Sequence, residues 1–383
     1  MRILAYHIGH LGDTIVSIPA LKALRRHFGP GTEIVLLHNR GSSRLVTPVD
    51  VLGELDLVDG YMTYDSRAGM WGQARALFGT MARIRRGGFH AVAYLAPSQR
   101  PRQSVLRDRM FFRGCGIPRL LGFHGLPRAV CRPVDASGRP APVRQEGLLR
   151  LERLREDGVD VDPAVHVAMP LFDVPSRWRA AADVWLTDNR RHRSRNLVAV
   201  CPGAKKPANR WPLSRFGDIG RLLLADGRYE LVVAGGADDR VAAASLLSYW
   251  GDGLNAAGVF PVLGSAALFE RCHFLVGLDT GTTHLAAAVG VPCVALFGDQ
   301  ENPGRWDPLG SGHRLLRHAV PCAGCRLIET PCPVEGHPCM TGISTDEAWE
   351  AVVNMGRDLA AEREADSLGV GCGTAELNGT LPR

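Results

Sequence analysis

Short runs of consecutive apolar residues alternate along this chain with longer stretches whose apolar residues recur every three or four positions. Arg2 to His7 is the first run and predicts a buried strand. A glycine-bearing turn follows, Gly9-His10-Leu11-Gly12-Asp13. From Asp13 to Phe28 the residues Ile15, Ile18, Leu21, Leu24 and Phe28 share one helical face, and Pro19 predicts a kink or a late start. Gly29-Pro30-Gly31 closes that helix before the strand Glu33 to His38. The alternation continues with strands at 61–64, 90–96 and 120–123 and helices at 70–86, 105–113 and 145–155. It then starts afresh, with strands at 196–201, 230–234, 273–278 and 293–297 and helices at 213–225, 241–249, 266–272, 284–289 and 345–361. Strand and helix in regular alternation predict α/β architecture with parallel sheets, here two of them. The expected division is 1–172, 173–345, and 346–383 as a last helix with a polar, disordered tail.

The clearest unit is 273–298, strand, loop, helix, strand. In parallel sheets ligands bind beyond the carboxyl ends of the strands, where helix N-termini point. Asp279, Thr280, Gly281, Thr282 and His284 fall there and suit a phosphate. The plain alternative is that Asp279 and Thr282 only cap the helix. Pro202-Gly203-Ala204-Lys205-Lys206, with Arg210, leaves another strand of the same sheet and adds positive charge. The first turn looks like a dinucleotide site but reads GxxG, and its second strand ends in His38-Asn39 without the acid that holds a nicotinamide-linked ribose. A dehydrogenase is disfavoured.

Composition changes this picture little. The 383 residues are 45% hydrophobic, enough for two cores, and no apolar run reaches membrane-span length. Asp13 interrupts the N-terminal run, so no signal peptide is expected and a cytoplasmic location is. Net charge is +6, and Lys22, Lys205 and Lys206 are the only lysines among 45 basic residues. An arginine bias of that size is first a matter of codon use, so only local clustering argues for an anionic partner. Arg100, Arg102, Arg107, Arg109 and Arg113 form such a cluster, with Asp108 the one acid among them. Nothing marks a nucleic-acid binder.

Taken together, Gly12-Asp13 after the first strand, Pro202-Gly203-Ala204 with Arg210-Trp211-Pro212, Asp279-Thr280-Gly281 with His284-Leu285, Pro292, Phe297-Gly298 and Trp306-x-Pro308 resemble glycosyltransferase family 9, the lipopolysaccharide heptosyltransferases. The likeness spans residues 1 to about 350 in order. It implies a GT-B fold, two Rossmann-like domains facing across a cleft. It implies inverting transfer of a sugar from a nucleotide-sugar donor, ADP-heptose or similar, to an anionic lipid-linked cell-envelope glycan, without a required metal. Asp13 matches the catalytic base. Gly203, Ala204, Lys205, Lys206, Arg210, Asp279, Thr280, Gly281, Thr282 and His284 match the donor side. His7, His10, Gly12, Arg100 and Arg102 fall on the acceptor side, where peripheral contact with the inner face of the membrane also fits. Two positions depart from the family pattern: Asn209 stands where a basic residue precedes the Arg-Trp-Pro, and His7 where the first loop often has Lys or Arg. A GT-B sugar-nucleotide epimerase and a non-catalytic sugar-nucleotide binder remain as alternatives.

Ten cysteines in such a chain do not suggest a disulfide scaffold. Cys322, Cys325, Cys332 and Cys339 lie in a Pro- and Gly-rich loop that has little core of its own. Four thiolates can hold a structural zinc, and four reduced, unliganded cysteines are the even alternative. Trp211 reads as core rather than as a stacking platform.

Overall fold

The computed structural model describes residues 1–39, 46–64, 70–124, 133–326 and 332–367. The first half runs β1 (Arg2–His7), α1 (Leu11–Ile15), α2 (Ile18–Phe28), β2 (Glu33–Asn39), α3 (Pro48–Leu52), β3 (Gly60–Tyr64), α4 (Met70–Gly87), β4 (Ala91–Tyr94), α5 (Arg102–Gly114), β5 (Arg119–Leu121), α6 (Glu146–Glu156) and α7 (Pro163–His166). The second runs α8 (Ser176–Asn189), β6 (Asn196–Cys201), α9 (Leu213–Asp226), β7 (Tyr229–Val233), α10 (Arg240–Trp250), β8 (Leu254–Asn255), α11 (Val262–Phe269), β9 (Phe274–Leu278), α12 (Gly281–Ala288), β10 (Cys293–Phe297), β11 (Arg314–Arg317), α13 (Pro338–Thr341) and α14 (Thr345–Ser367).

Each half builds one parallel sheet. The orders are β3-β2-β1-β4-β5 and β11-β10-β9-β6-β7-β8, with every named pair parallel. Both are doubly wound orders, reversing direction between β1 and β4 and between β6 and β9. Side chains alternate across the first sheet. Ile3, Ala5, Ile34, Leu36, Ala91 and Ala93 face one layer, and Leu4, Tyr6, Val35, Leu37, Val92 and Tyr94 the other. The first of these layers is continuous with the inner layer of the second sheet, through Ile15, Leu21, Leu263, Phe269 and Leu285. Apolar burial therefore joins the halves as well as each half's own elements.

The long helix predicted from Asp13 to Phe28 is two helices. α1 ends at Ile15, and α2 starts at Ile18 with Pro19 in its first turn, where the missing N–H costs no hydrogen bond. α12 begins at Gly281, three residues before the predicted start. α11 begins at Val262, four residues early, because its apolar residues give no period to read. β11 was not foreseen: Arg314 and Arg317 bracket only two apolar residues, yet the strand extends the second sheet beside β10. α7 packs on α2 and α8 on α11, so the chain passes from one half to the other between Val167 and Pro175. α14 packs on α9, β10 and β11 as part of the second half. α14 runs on to Ser367, past Glu364 where the polar tail is expected to begin, and the rest of that tail lies outside the described residues.

Candidate active site

The turn after β1 closes only because residue 9 is glycine. Gly9 has φ of +131°, and a Cβ there would overlap the Asp13 carboxylate. His10 is the first residue flanking α1, and Asp13 reaches back so that its Oδ2 accepts the His10 N–H at 3.1 Å. Asp13 thus closes the helix from its third position rather than as the first capping residue. Its side chain keeps 23% exposure, and its Oδ1 lies 3.9 Å from Arg150 Nη2. Arg150, on α6, is fully buried. It donates to the Asp13 carbonyl at 2.8 Å, to Ser17 Oγ, and through Nε to Glu146 Oε1 at 3.3 Å. Burial pushes the Asp13 carboxyl above its ordinary pKa, against the Arg150 charge, the His10 N–H and Lys206.

In the second half, α12 starts with Thr280 flanking it, and no side chain caps it. Thr283 Oγ1 donates to Leu278 O at 2.7 Å, while Thr280 and Thr282 bond each other at 2.8 Å. Neither Asp279 nor Thr282 caps the helix, so its first N–H groups and positive dipole end stay open to an anion. The loop after β6 comes alongside. Gly203 is required there because a Cβ would overlap Asp239, whose Oδ2 accepts the Gly236 N–H. Arg210 Nε donates to Ala204 O at 3.1 Å, and Lys205 and Lys206 are exposed. Asn209 is buried, donating through Nδ2 to Asp279 O at 2.6 Å and accepting from Gln300 Nε2 at 2.8 Å. Asn209 thus ties the loop after β6 to the loop after β9.

The two loops and the Asp13 turn meet. Leu11 packs so closely on Gly281 that a Cβ there would sit 2.7 Å from it, and Gly12 lies against the His284 ring. Two helix N-termini, α1 and α12, thus face each other at the switch points of two sheets. Burial pushes the His284 imidazole down to about 4, with the charges of His313 and Lys206 adding to it, so it is neutral near pH 7. Asp279 is raised by burial and opposed first by Lys206, then by Arg317. Lys206 therefore bears electrostatically on Asp13 from one half and on Asp279 and His284 from the other.

The residues expected on the acceptor side scatter more. His10 is exposed and Gly12 lies at the cleft. His7 is buried beneath α1, its Nε2 3.5 Å from Thr14 Oγ1, and burial pushes it down to about 3. It supports α1 from below instead of lining the cleft. Arg100 pairs with Asp108 at 2.9 Å, and Arg102 is exposed at the start of α5. Trp211 is core, donating to Ile343 O and stacking edge-on against Phe216. Cys322, Cys325, Cys332 and Cys339 border one cavity with Asp299, Gln300 and His337. Among the described residues no three His, Cys, Asp or Glu side chains stand as a ready ligand set. The sequence marks Asn209 only as a departure from the family pattern, and it gives no sign of Arg150, Glu146, Arg305 and Gln300. Each of these four is a polar residue whose only signal is burial, which one sequence does not display.

A sequence profile described as glycosyltransferase family 9 (heptosyltransferase) matches residues 160–334. Lipopolysaccharide heptosyltransferase 2 of Salmonella typhimurium is 33% identical over 129 residues, covering 32% of this chain and 36% of that protein. Lipopolysaccharide heptosyltransferase 1 of Pseudomonas aeruginosa is 33% identical over 118 residues, covering 30% of this chain and 32% of that protein. The chain thus matches about a third of the length of these curated relatives. Solved structures cover nearly all of it. A family 9 glycosyl transferase from Veillonella parvula superposes with a TM-score of 0.66 at 21% identity over 92% of this chain and 96% of that one. ADP-heptose lps heptosyltransferase II of E. coli gives 0.63 at 20% identity over 95% and 100%. The chain therefore resembles glycosyltransferase family 9 in sequence over residues 160–334, and it has the two-sheet GT-B fold of these solved structures.

Proposed function

We propose that this protein is an inverting glycosyltransferase that moves a heptose or similar sugar from a nucleotide diphosphate donor to a glycan of the cell envelope. One observation carries the reading. A carboxylate on the first sheet and an uncapped helix N-terminus with an exposed lysine on the second meet across one cleft. In the step, the acceptor hydroxyl loses its proton to Asp13 while its oxygen bonds the anomeric carbon. The bond from that carbon to the donor phosphate breaks on the opposite face, and the electron pair leaves with the diphosphate. The α12 N–H groups, Lys206 and Arg210 take up that charge. His284, neutral and packed on Gly12, keeps a second cation out of the base's surroundings. Transfer needs no metal on this reading, and a heptosyltransferase of E. coli solved with ADP points to an adenine nucleotide. We also propose a structural zinc for Cys322, Cys325, Cys332 and Cys339, whose support is that all four border one cavity, although the described side chains do not stand as a ready ligand set.

The test is a screen of ADP-, GDP-, UDP- and CMP-linked sugars with and without a deacylated lipopolysaccharide core. Acceptor-dependent nucleotide release, with the product of opposite anomeric configuration, is expected. Nucleotide release that needs no acceptor overturns the reading in favour of an epimerase.

A further inference from the structure

Four of the large apolar side chains left most open to solvent sit on two neighbouring helices of the first half. They are Leu77 (52% exposed) and Phe78 (69%) on α4, and Leu106 (55%) and Met110 (66%) on α5. Both helices return from the carboxyl to the amino edge of a parallel sheet, so they run parallel. Their last turns touch, since Arg85 donates to Gly114 O at 2.7 Å and Met81 lies beside Gly114. One helical turn back from that contact puts Leu77 and Phe78 level with Met110.

Arginines surround these groups. Arg102, Leu106, Arg109, Met110 and Arg113 recur at helical spacing on the outer side of α5, while Val105 and Phe112 pack inward. Arg83, Arg85 and Arg86 are exposed on α4. Asp108 is the only acid in the two helices. It is buried, and its oxygens are taken by Tyr94, Arg100 and Arg107. Arg102, Arg109 and Arg113 form no ion pair among the described residues.

We infer that the outer face of α4 and α5 docks on an anionic bilayer, with Phe78, Leu106 and Met110 entering the headgroup boundary and the arginines pairing with lipid phosphates. Charge complementarity selects this occupant. A second copy of the chain would bring two arginine-rich faces together, whereas an anionic surface neutralises all of them at once. Among the described residues no helix is long and apolar enough to cross a membrane, so the contact is peripheral. α5 also starts at the cleft rim, where Gln99 accepts from Arg326 of the second half at 2.7 Å. On the glycosyltransferase reading, that places the opening of the cleft beside the lipid that would carry the acceptor. The docking itself does not depend on that reading.

Sedimentation of the full chain with vesicles tests it, with no donor present. Binding is expected to vesicles of phosphatidylcholine mixed with phosphatidylglycerol, and not to phosphatidylcholine alone. It is expected to fail in about 1 M salt, where screening acts within about 3 Å. Replacing Arg102, Arg109 and Arg113 together by Gln is expected to weaken partitioning on the order of a hundredfold, about fivefold per charge. Phe78→Ser, Leu106→Ser and Met110→Ser combined are expected to weaken it too, with the thermal midpoint of both variants near that of the parent. Equal binding by parent and both variants overturns the proposal, as does no binding to the anionic vesicles. A parent dimer that the serine variant turns into monomer, with vesicle binding unchanged, assigns the face to a protein contact and overturns it as well.

Discussion

Asp13 holds a helix turn with one carboxylate oxygen and faces Arg150 with the other, so its two roles can be separated by substitution. Asp13→Asn keeps an oxygen for the His10 N–H and loses the proton acceptor. Turnover is expected to fall about 10²–10⁴-fold with the donor affinity and unfolding midpoint nearly unchanged. Steady-state kinetics beside nucleotide titration checks this, and a folded variant with full turnover rejects the base. Arg150 acts through Asp13. Burial raises the carboxyl's pKa and the guanidinium opposes that rise, so removing the cation lets it climb further. Below its pKa Asp13 holds a proton and cannot accept another, so the acidic limb of the rate profile marks its titration. For Arg150→Met that limb is expected to move up by about one pH unit, and Arg150→Lys is expected to restore most of it. A change of KM with the limb unmoved would leave Arg150 a packing residue only. The glycine turn that positions Asp13 was legible in the sequence after an apolar run, while its proposed role as base came from the family resemblance. Arg150 was not legible, since nothing in Glu146 to Glu156 distinguishes a buried arginine from the other arginines of that helix.

At the level of elements, legibility followed periodicity. β9 and β10 were read nearly to the residue, because five consecutive buried positions in each leave one interpretation, whereas the loop after β9 is three residues shorter than its polar residues suggest, α12 starting at Gly281. β11 and the true start of α11 were missed, since two apolar residues between arginines and a uniformly apolar helix carry no period. The cysteine loop was legible as a cluster but not as a geometry. Cys339 is buried and its thiol is pushed up, first by burial, with the other three thiols adding to it through their charge. A divalent cation would relieve that repulsion. Protein purified without chelator is therefore expected to carry about one zinc per chain, measured by elemental analysis. Cys322→Ser with Cys325→Ser is expected to lose the zinc and lower the thermal midpoint while nucleotide affinity persists. Protein free of stoichiometric metal sinks the zinc assignment and leaves four reduced cysteines.

Across the whole molecule, the two halves are tied by a buried charge network that no single stretch of sequence reveals. Arg150, Glu146 and Arg305 are each 0% exposed. Glu146 Oε1 accepts from the Ser98 N–H at 2.8 Å, from Ser98 Oγ and from Arg150, and its Oε2 lies 3.4 Å from Arg305 Nη1. Backbone bonds run alongside, from Glu146 N to Arg305 O and from Val143 N to Pro303 O, and Asn302 donates to Pro133 O and Ala141 O. One carboxylate thus answers two buried guanidiniums, one behind the candidate base and one from the β10–β11 connection of the other half. Glu146→Ala leaves both without it in a region water does not reach. A loss of about 3–5 kcal/mol is expected, the range for breaking a buried pair from one side. Urea unfolding is expected to show a lower midpoint with the slope kept, which marks lost stability rather than a changed endpoint. Arg305→Met should then cost less in the Glu146→Ala background than alone, because the charge it answered is already gone. A coupling of about 0.5–3 kcal/mol is expected from that cycle. Additive effects would show that Glu146 and Arg305 share no energy, and that the halves are held by their common apolar layer alone.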